Sequence, residues 1–168
     1  SSVPRVVSGL GEVRVRAVFA GAVHSLAVSD VGELYSFGDG MNGKLGHGDA
    51  AGQLAPRLIE ALRGVRIAAV SASYYHSLAV SDAGELYSFG AGKFGKLGHA
   101  DEEDQLTPRR IEALRGVRIA AVSTGTFHSL ALSDEGELYS FGGGSFGKLG
   151  HGDQVEQRAP RRIEALRK

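Results

Sequence analysis

The chain has 168 residues, enough for one domain with a real core, and its 19 Lys plus Arg balance its 19 Asp plus Glu. That balance favours neither nucleic acid nor an acidic membrane as partner. The lack of any cysteine removes disulfides, zinc–thiolate sites and cysteine nucleophiles. No apolar run approaches the roughly 18 residues of a membrane span, and SSVPRVV at the N-terminus lacks a signal pattern and is read as a processed end or an artificial boundary.

Taken in order, the chain presents a Pro-Arg pair at Pro4, "HSLAVSD" from His24, "GELYSFG" from Gly32 and "GKLGH" from Gly43. Each returns 52 residues later, at Pro56, His76, Gly84 and Gly95, and again at Pro108, His128, Gly136 and Gly147. A fourth Pro-Arg pair stands at Pro160. Segments 53–104 and 105–156 differ at only 14 of 52 positions, closer than folding requires, since cores tolerate wide apolar exchange. The reading is three units, 1–52, 53–104 and 105–156, with 157–168 a spare outer-strand segment equivalent to 1–12.

Each unit predicts four short strands. In the best-marked copy they are "PRRIEAL" (108–114), "VRIAAVS" (117–123), "HSLALS" (128–133) and "GELYSFG" (136–142). The first is the weakest: "IEALRG" also suits a helical turn, but Pro at its start and Gly at its end favour an edge strand. Val117, Ile119 and Val122 are candidate core. Leu130 and Leu132 alternate with Ser129, Ala131 and Ser133. Asp134-Glu135-Gly136 reads as a tight hairpin turn. Four antiparallel strands per roughly 50 residues describe a β-propeller blade, which needs neighbours on both faces.

The string G-x-G-x-x-G at 38–43, 90–95 and 142–147 imitates a dinucleotide-binding turn. It opens "KLGHGD", too rich in glycine to propagate the helix that would hold a pyrophosphate. It is read as a loop, and no cofactor is expected.

The composite pattern G-x-x-H-S-L-A-L-S-D-x-G-E-L-Y-S-F-G…G-K-L-G-H-G-D…P-R-x-I resembles the regulator of chromosome condensation repeat across essentially the whole chain. The resemblance implies an all-β propeller, usually of seven blades. This chain departs from the pattern. It has three units, Phe37, Phe89 and Phe141 where many members carry Trp, and Ser73 in place of the glycine of G-x-x-H. Three blades do not close a ring, so a second chain is expected to complete six blades as a homodimer.

Repeated candidates for chemistry are read as structure. His24, His76 and His128 could converge on a metal, but the resemblance implies that each bonds backbone in its own blade; with Gly38, Gly90 and Gly142 they are taken as structural repeat residues. His47, His99 and His151 are assigned to turns. Adjacent His and Ser on a strand face opposite ways, so no catalytic triad is read, and no enzyme is expected. Arg158, Arg161, Arg162 and Arg167, with Glu156 and Glu164 among them, read as a solvated mixed-charge strand.

The informative positions are those that vary between near-identical units. Val23, Met41, Asn42, Tyr74, Tyr75, Lys93, Phe94, Thr126, Phe127 and Phe146 are the candidate partner-binding loop residues, their aromatics natural anchors. The expected role is a non-enzymatic scaffold or protein-interaction module that self-assembles through open blade ends; the chain is expected to be soluble, and the sequence assigns no compartment beyond a cytoplasmic or nuclear one if it is natural. Near-identity of the units also fits a designed array without a natural ligand. The alternative is a fragment of a larger propeller acting as a guanine-nucleotide exchange factor or a chromatin-associated adaptor. The exchange role needs a protruding insertion, which a strict 52-residue period does not contain.

Overall fold

The computed structural model describes residues 3–166. Twelve strands form three separate four-stranded sheets, each a simple antiparallel meander. The first sheet holds β1 (Val15–Ala20), β2 (His24–Ser29), β3 (Leu34–Gly38) and β4 (Gln53–Leu58). The second holds β5 (Ile67–Ala72), β6 (His76–Ser81), β7 (Leu86–Gly90) and β8 (Gln105–Arg110). The third holds β9 (Ile119–Thr124), β10 (His128–Ser133), β11 (Leu138–Gly142) and β12 (Gln157–Arg162). The sheets are all-β propeller blades. Among the described residues no helix is long and apolar enough to cross a membrane.

Three strand assignments differ from the sequence reading; the one read as 136–142 begins at Leu138, because the Ser133 amide closes the hairpin turn on the Glu137 carbonyl at 2.9 Å. The strand assigned to 108–114 runs from Gln105 to Arg110, and Glu112–Leu114 forms a 3-10 turn instead. Pro108 is tolerated inside β8 because this is an edge strand whose register shifts between Ser88↔Arg109 and Gly90↔Gln105, leaving no ladder bond at the proline. The turn exists because Ile111 and Leu114, three apart, must both enter the core. The strand assigned to 117–123 begins at Ile119, since the Val117 amide closes that turn on the Leu114 carbonyl at 2.9 Å. β12 pairs with β11, whereas the equivalent N-terminal residues 3–12 form no strand.

The core lies between blades rather than within them. Leu26, Val28, Leu34, Ile59 and Leu62 of the first blade meet Ile67, Val70, Ala79 and Phe89 of the second. Leu78, Val80, Leu86, Ile111 and Leu114 of the second meet Ile119, Ala131 and Phe141 of the third. Each inserted phenylalanine packs over a glycine. A Cβ at Gly46 would come 3.1 Å from the Phe89 ring, and one at Gly98 3.0 Å from the Phe141 ring. Phe89 and Phe141 are fully buried, and burial of this kind is worth roughly 1.5–3 kcal/mol per side chain.

The two outer faces of the arc are the unmated halves of this same interface. On the first blade Phe37 and Ser25 are half-exposed, while their equivalents Phe89, Phe141, Ser77 and Ser129 are buried. On the third, Leu130 and Leu138 are half-exposed and Leu132 is exposed, while Leu78, Leu86 and Val80 are buried.

Candidate functional site

The repeated histidines join one blade to the next. His24 Nε2 lies 2.7 Å from Ser77 Oγ, and His76 Nε2 lies 2.8 Å from Ser129 Oγ. Each serine in turn donates to a lysine carbonyl of the preceding blade, Lys44 at 2.9 Å and Lys96 at 2.8 Å. Since each hydroxyl donates its one proton to that carbonyl, it can only accept from imidazole, so Nε2 carries the ring proton. The expectation that each histidine bonds backbone in its own blade is therefore corrected: the contact crosses to the next blade and reaches backbone only through serine. Among the described residues His128 has no serine of a following blade to meet, and Ser25 no histidine of a preceding one.

Burial pushes the His24 pKa down to about 4 and the His76 pKa down to about 3, with Lys44 and Lys96 respectively adding repulsion. Ser73, which stands where the other units have Gly21 and Gly125, places its Oγ 2.9 Å from His76 Nδ1. With no such hydroxyl, His24 Nδ1 is buried without a hydrogen-bond partner among the described residues. Gly38, Gly90 and Gly142 stand opposite His24, His76 and His128 in the ladders. A Cβ on any of them would sit 2.7 Å from the histidine Cα, which makes glycine obligatory there. The second histidine set is held inside each blade. Ser36, Ser88 and Ser140 lie 2.8–2.9 Å from Nε2 of His47, His99 and His151, and donate to the carbonyls of Leu45, Leu97 and Leu149 at 2.7 Å. No group of three potential metal ligands gathers among the described residues.

The loops that vary gather at one end of the arc. A cleft of about 1020 Å³ spans all three blades there, and six of the ten candidate loop residues border it: Asn42, Tyr75, Lys93, Phe94, Phe127 and Phe146. The Tyr75 ring stacks on Phe127 at 5.8 Å, and Phe94 meets Phe127 edge-on at 5.8 Å, tying the second blade to the third. Tyr74 stands outside the lining, edge-on to Tyr75 at 4.6 Å. Val23, Met41 and Thr126 are exposed and lie outside it as well.

Two of the aromatics are held unfavourably. Phe94 has φ 66° and Phe146 φ 64°, in the left-handed region that costs an L-residue roughly 1–2 kcal/mol. Phe146 is also 96% exposed. The same turn recurs in the first unit with Asn42 at φ 60°, and the Gly43, Gly95 and Gly147 amides close it on the Gly40, Gly92 and Gly144 carbonyls, so the left-handed residue belongs to the repeat and the aromatics occupy a position that asparagine accepts with less strain.

Sequence reading missed the lysines beneath these rings. Lys44, Lys96 and Lys148 are invariant in the repeat, and Lys44 and Lys96 are almost wholly buried. Lys44 forms an ion pair with Asp39 and lies 5.7 Å from the Tyr74 ring centre. The positions equivalent to Asp39 are Ala91 and Gly143, so the other two lysines lose that carboxylate. Lys96 Nζ donates to the Lys93 carbonyl at 3.0 Å and lies 5.6 Å from the Tyr75 ring centre. Burial holds its pKa down to about 8. Lys148 Nζ donates to the Ser145 carbonyl at 3.3 Å. The missed signal was present in the sequence as Asp39, Ala91 and Gly143 varying over a constant lysine.

The arginines of the last strand are paired. Arg158 meets Glu102 at 2.6 Å and Glu156 at 2.8 Å, Arg161 meets Asp153 at 3.7 Å, and Arg162 pairs with Glu137. Arg167 lies outside the described residues.

Comparison with known proteins places these features in context. The family model described as the regulator of chromosome condensation (RCC1) repeat matches residues 31–80, 83–132 and 135–168. The human E3 ubiquitin-protein ligase HERC2 is 41% identical over 98% of this chain, which spans 4% of that protein. The ultraviolet-B receptor UVR8 of Arabidopsis thaliana is 38% identical over 97% of this chain, which spans 37% of that protein. Among solved structures, human WBSCR16 superposes with a TM-score of 0.83 at 27% identity, covering 95% of this chain and 39% of that one. Prp20p of Saccharomyces cerevisiae, described with its binding properties to Gsp1p and histones, superposes at 0.80 with 25% identity, covering 89% of this chain and 38% of that one.

Proposed function

The chain belongs to the regulator of chromosome condensation repeat family, and we propose that it works as a non-enzymatic propeller module that docks a protein segment in the cleft between its loops. One observation carries this reading: on a framework repeated almost residue for residue, Tyr75, Phe94, Phe127 and Phe146, at the two positions where the first unit has Val23 and Asn42, gather at one cleft. Exposed aromatics on rigid loops are the usual anchors of protein recognition. The description of Prp20p with Gsp1p and histones supports a protein as the class of partner. The test selects binders to the 168-residue chain from a displayed random-peptide library, then measures them against Phe94→Gly/Phe146→Gly. Loss of binding by tenfold or more supports the reading; undiminished binding overturns it.

A second reading rests on the outer faces of the arc. The half-exposed Phe37 and Ser25 at one end, and His128 and Gly150 at the other, carry the two halves of the contact already made twice inside the chain. A second copy is the occupant that fits both, closing six blades as a homodimer. Sedimentation equilibrium tests it: a dimer that Ser25→Trp dissociates supports the reading, and a monomer at high concentration refutes it.

A further inference from the structure

Resting on the docking role proposed above, the geometry points to the chemistry of the docked segment: the cleft recognises an acidic side chain, its carboxylate paired with the Lys96 ammonium and its apolar neighbour lying against Phe94, Phe127 and Phe146. In the first blade the same lysine is satisfied internally, because Asp39 reaches the Lys44 ammonium. In the second blade Ala91 has no carboxylate to offer, yet Lys96 remains 2% exposed, beneath Tyr75. Its one hydrogen bond, to the Lys93 carbonyl, leaves two N–H groups free; Asp104 and Glu102 lie near enough to favour its charge, but neither forms an ion pair with it among the described residues. Burying a cation unpaired is costly, so the missing carboxylate is the group the site is built to receive.

The remaining charges of the cleft agree. Its lining carries Lys93, Lys96 and Lys148 against Asp104 and Glu156. Both acids are already engaged: Asp104 accepts from Asn42 Nδ2 at 2.8 Å and from the Gly92 amide at 2.9 Å, and Glu156 accepts from Arg158 Nε at 2.9 Å. An excess of one positive charge suits a carboxylate monoanion better than a phosphate dianion, and the lining holds no arginine to grip phosphate bidentately. Edge-on and stacked rings beside the ammonium add an apolar wall, so an acidic residue next to a large apolar one is the matching sequence.

The test uses the whole 168-residue chain and two capped peptides, N-acetyl-Glu-Phe-amide and N-acetyl-Gln-Phe-amide, with lysine side-chain NMR and calorimetry. The glutamate peptide is expected to bind at least tenfold more tightly than the glutamine peptide and to shift the Lys96 signal. Its affinity is expected to fall as pH rises past 8. Ala91→Asp, which rebuilds the acid that Asp39 supplies in the first blade, is expected to abolish that preference while the fold remains intact. Lys96→Met should do the same. Equal binding of both peptides at the cleft, or an unchanged preference in Ala91→Asp, overturns the carboxylate inference and leaves the docking role standing. Phe94→Gly/Phe146→Gly binding the glutamate peptide undiminished overturns both. Inorganic phosphate displacing the glutamate peptide more effectively than acetate overturns the choice of carboxylate in favour of a phosphate-bearing group.

Discussion

Replacing Ser129 by alanine removes one hydroxyl and orphans two buried groups. The His76 Nε2–H loses its acceptor at 2.8 Å, and the Lys96 carbonyl loses its donor at 2.8 Å. Ser129 and His76 are fully buried, so water does not replace either bond. A buried polar group left unpaired costs about 1–3 kcal/mol, and two sharing one hydroxyl give about 2–4 kcal/mol in total. Ser77→Ala does the same between the first and second blades, where Ser77 joins His24 to the Lys44 carbonyl. Ser25→Ala is the internal control: the same residue in the same repeat position, at the open end with no histidine before it, should cost below about 0.5 kcal/mol. Urea denaturation followed by circular dichroism, on protein dilute enough to be monomeric, measures all three. Equal losses at Ser25, Ser77 and Ser129 would show that the serine acts within its own blade, and would refute the inter-blade contact.

Four further outcomes are expected of the same fold. Ser73→Gly, which copies the residue at Gly21 and Gly125, removes the partner of His76 Nδ1 and should lower stability by about 1–2 kcal/mol in the same urea assay. Acid should unfold the chain: His24 and His76 titrate near 4 and 3 when folded against about 6.5 when unfolded, so the unfolded chain takes up protons that the folded one refuses. Their stability is whole above pH 6.5 and falls by up to about 1.4 kcal/mol per histidine per pH unit as pH drops toward the folded values. A urea midpoint unchanged between pH 7.5 and pH 5 would contradict that. Phe146→Gly should stabilise the chain by about 1 kcal/mol, because glycine accepts φ 64° freely and the 96% exposed ring packs on little, while weakening partner binding. Phe89→Ala should cost about 3–5 kcal/mol and Phe37→Ala far less in the monomer, since only the former fills the space over Gly46.

Period-2 alternation and a glycine after each Asp-x turn made β2, β3 and their copies legible, because both signals are local. His128–Ser133 has the same bounds in sequence and structure. The Pro-Arg strand was harder. An edge strand has one ladder to satisfy, so it extends to Gln105 before the proline, while the spacing of Ile111 and Leu114 bends the following residues into a turn. The His76–Ser129 contact spans 53 residues, one repeat plus one position, and only the stacking of blades reveals it. For the loops, residue variation located the aromatics of the cleft but not the lysine under them. Lys96 is constant across the repeat, and what distinguishes it is the acid that Ala91 lacks.

The account stands most directly on where a partner sits. Amide hydrogen exchange of the chain, with and without a peptide selected for binding, locates it. Protection is expected over 73–76, 91–96, 126–128 and 143–148, the loops bordering Tyr75, Lys96, Phe127 and Phe146, with the outer strands β4, β8 and β12 unchanged. Protection confined to those outer strands, with the loop cleft exchanging as in the free chain, would contradict the account.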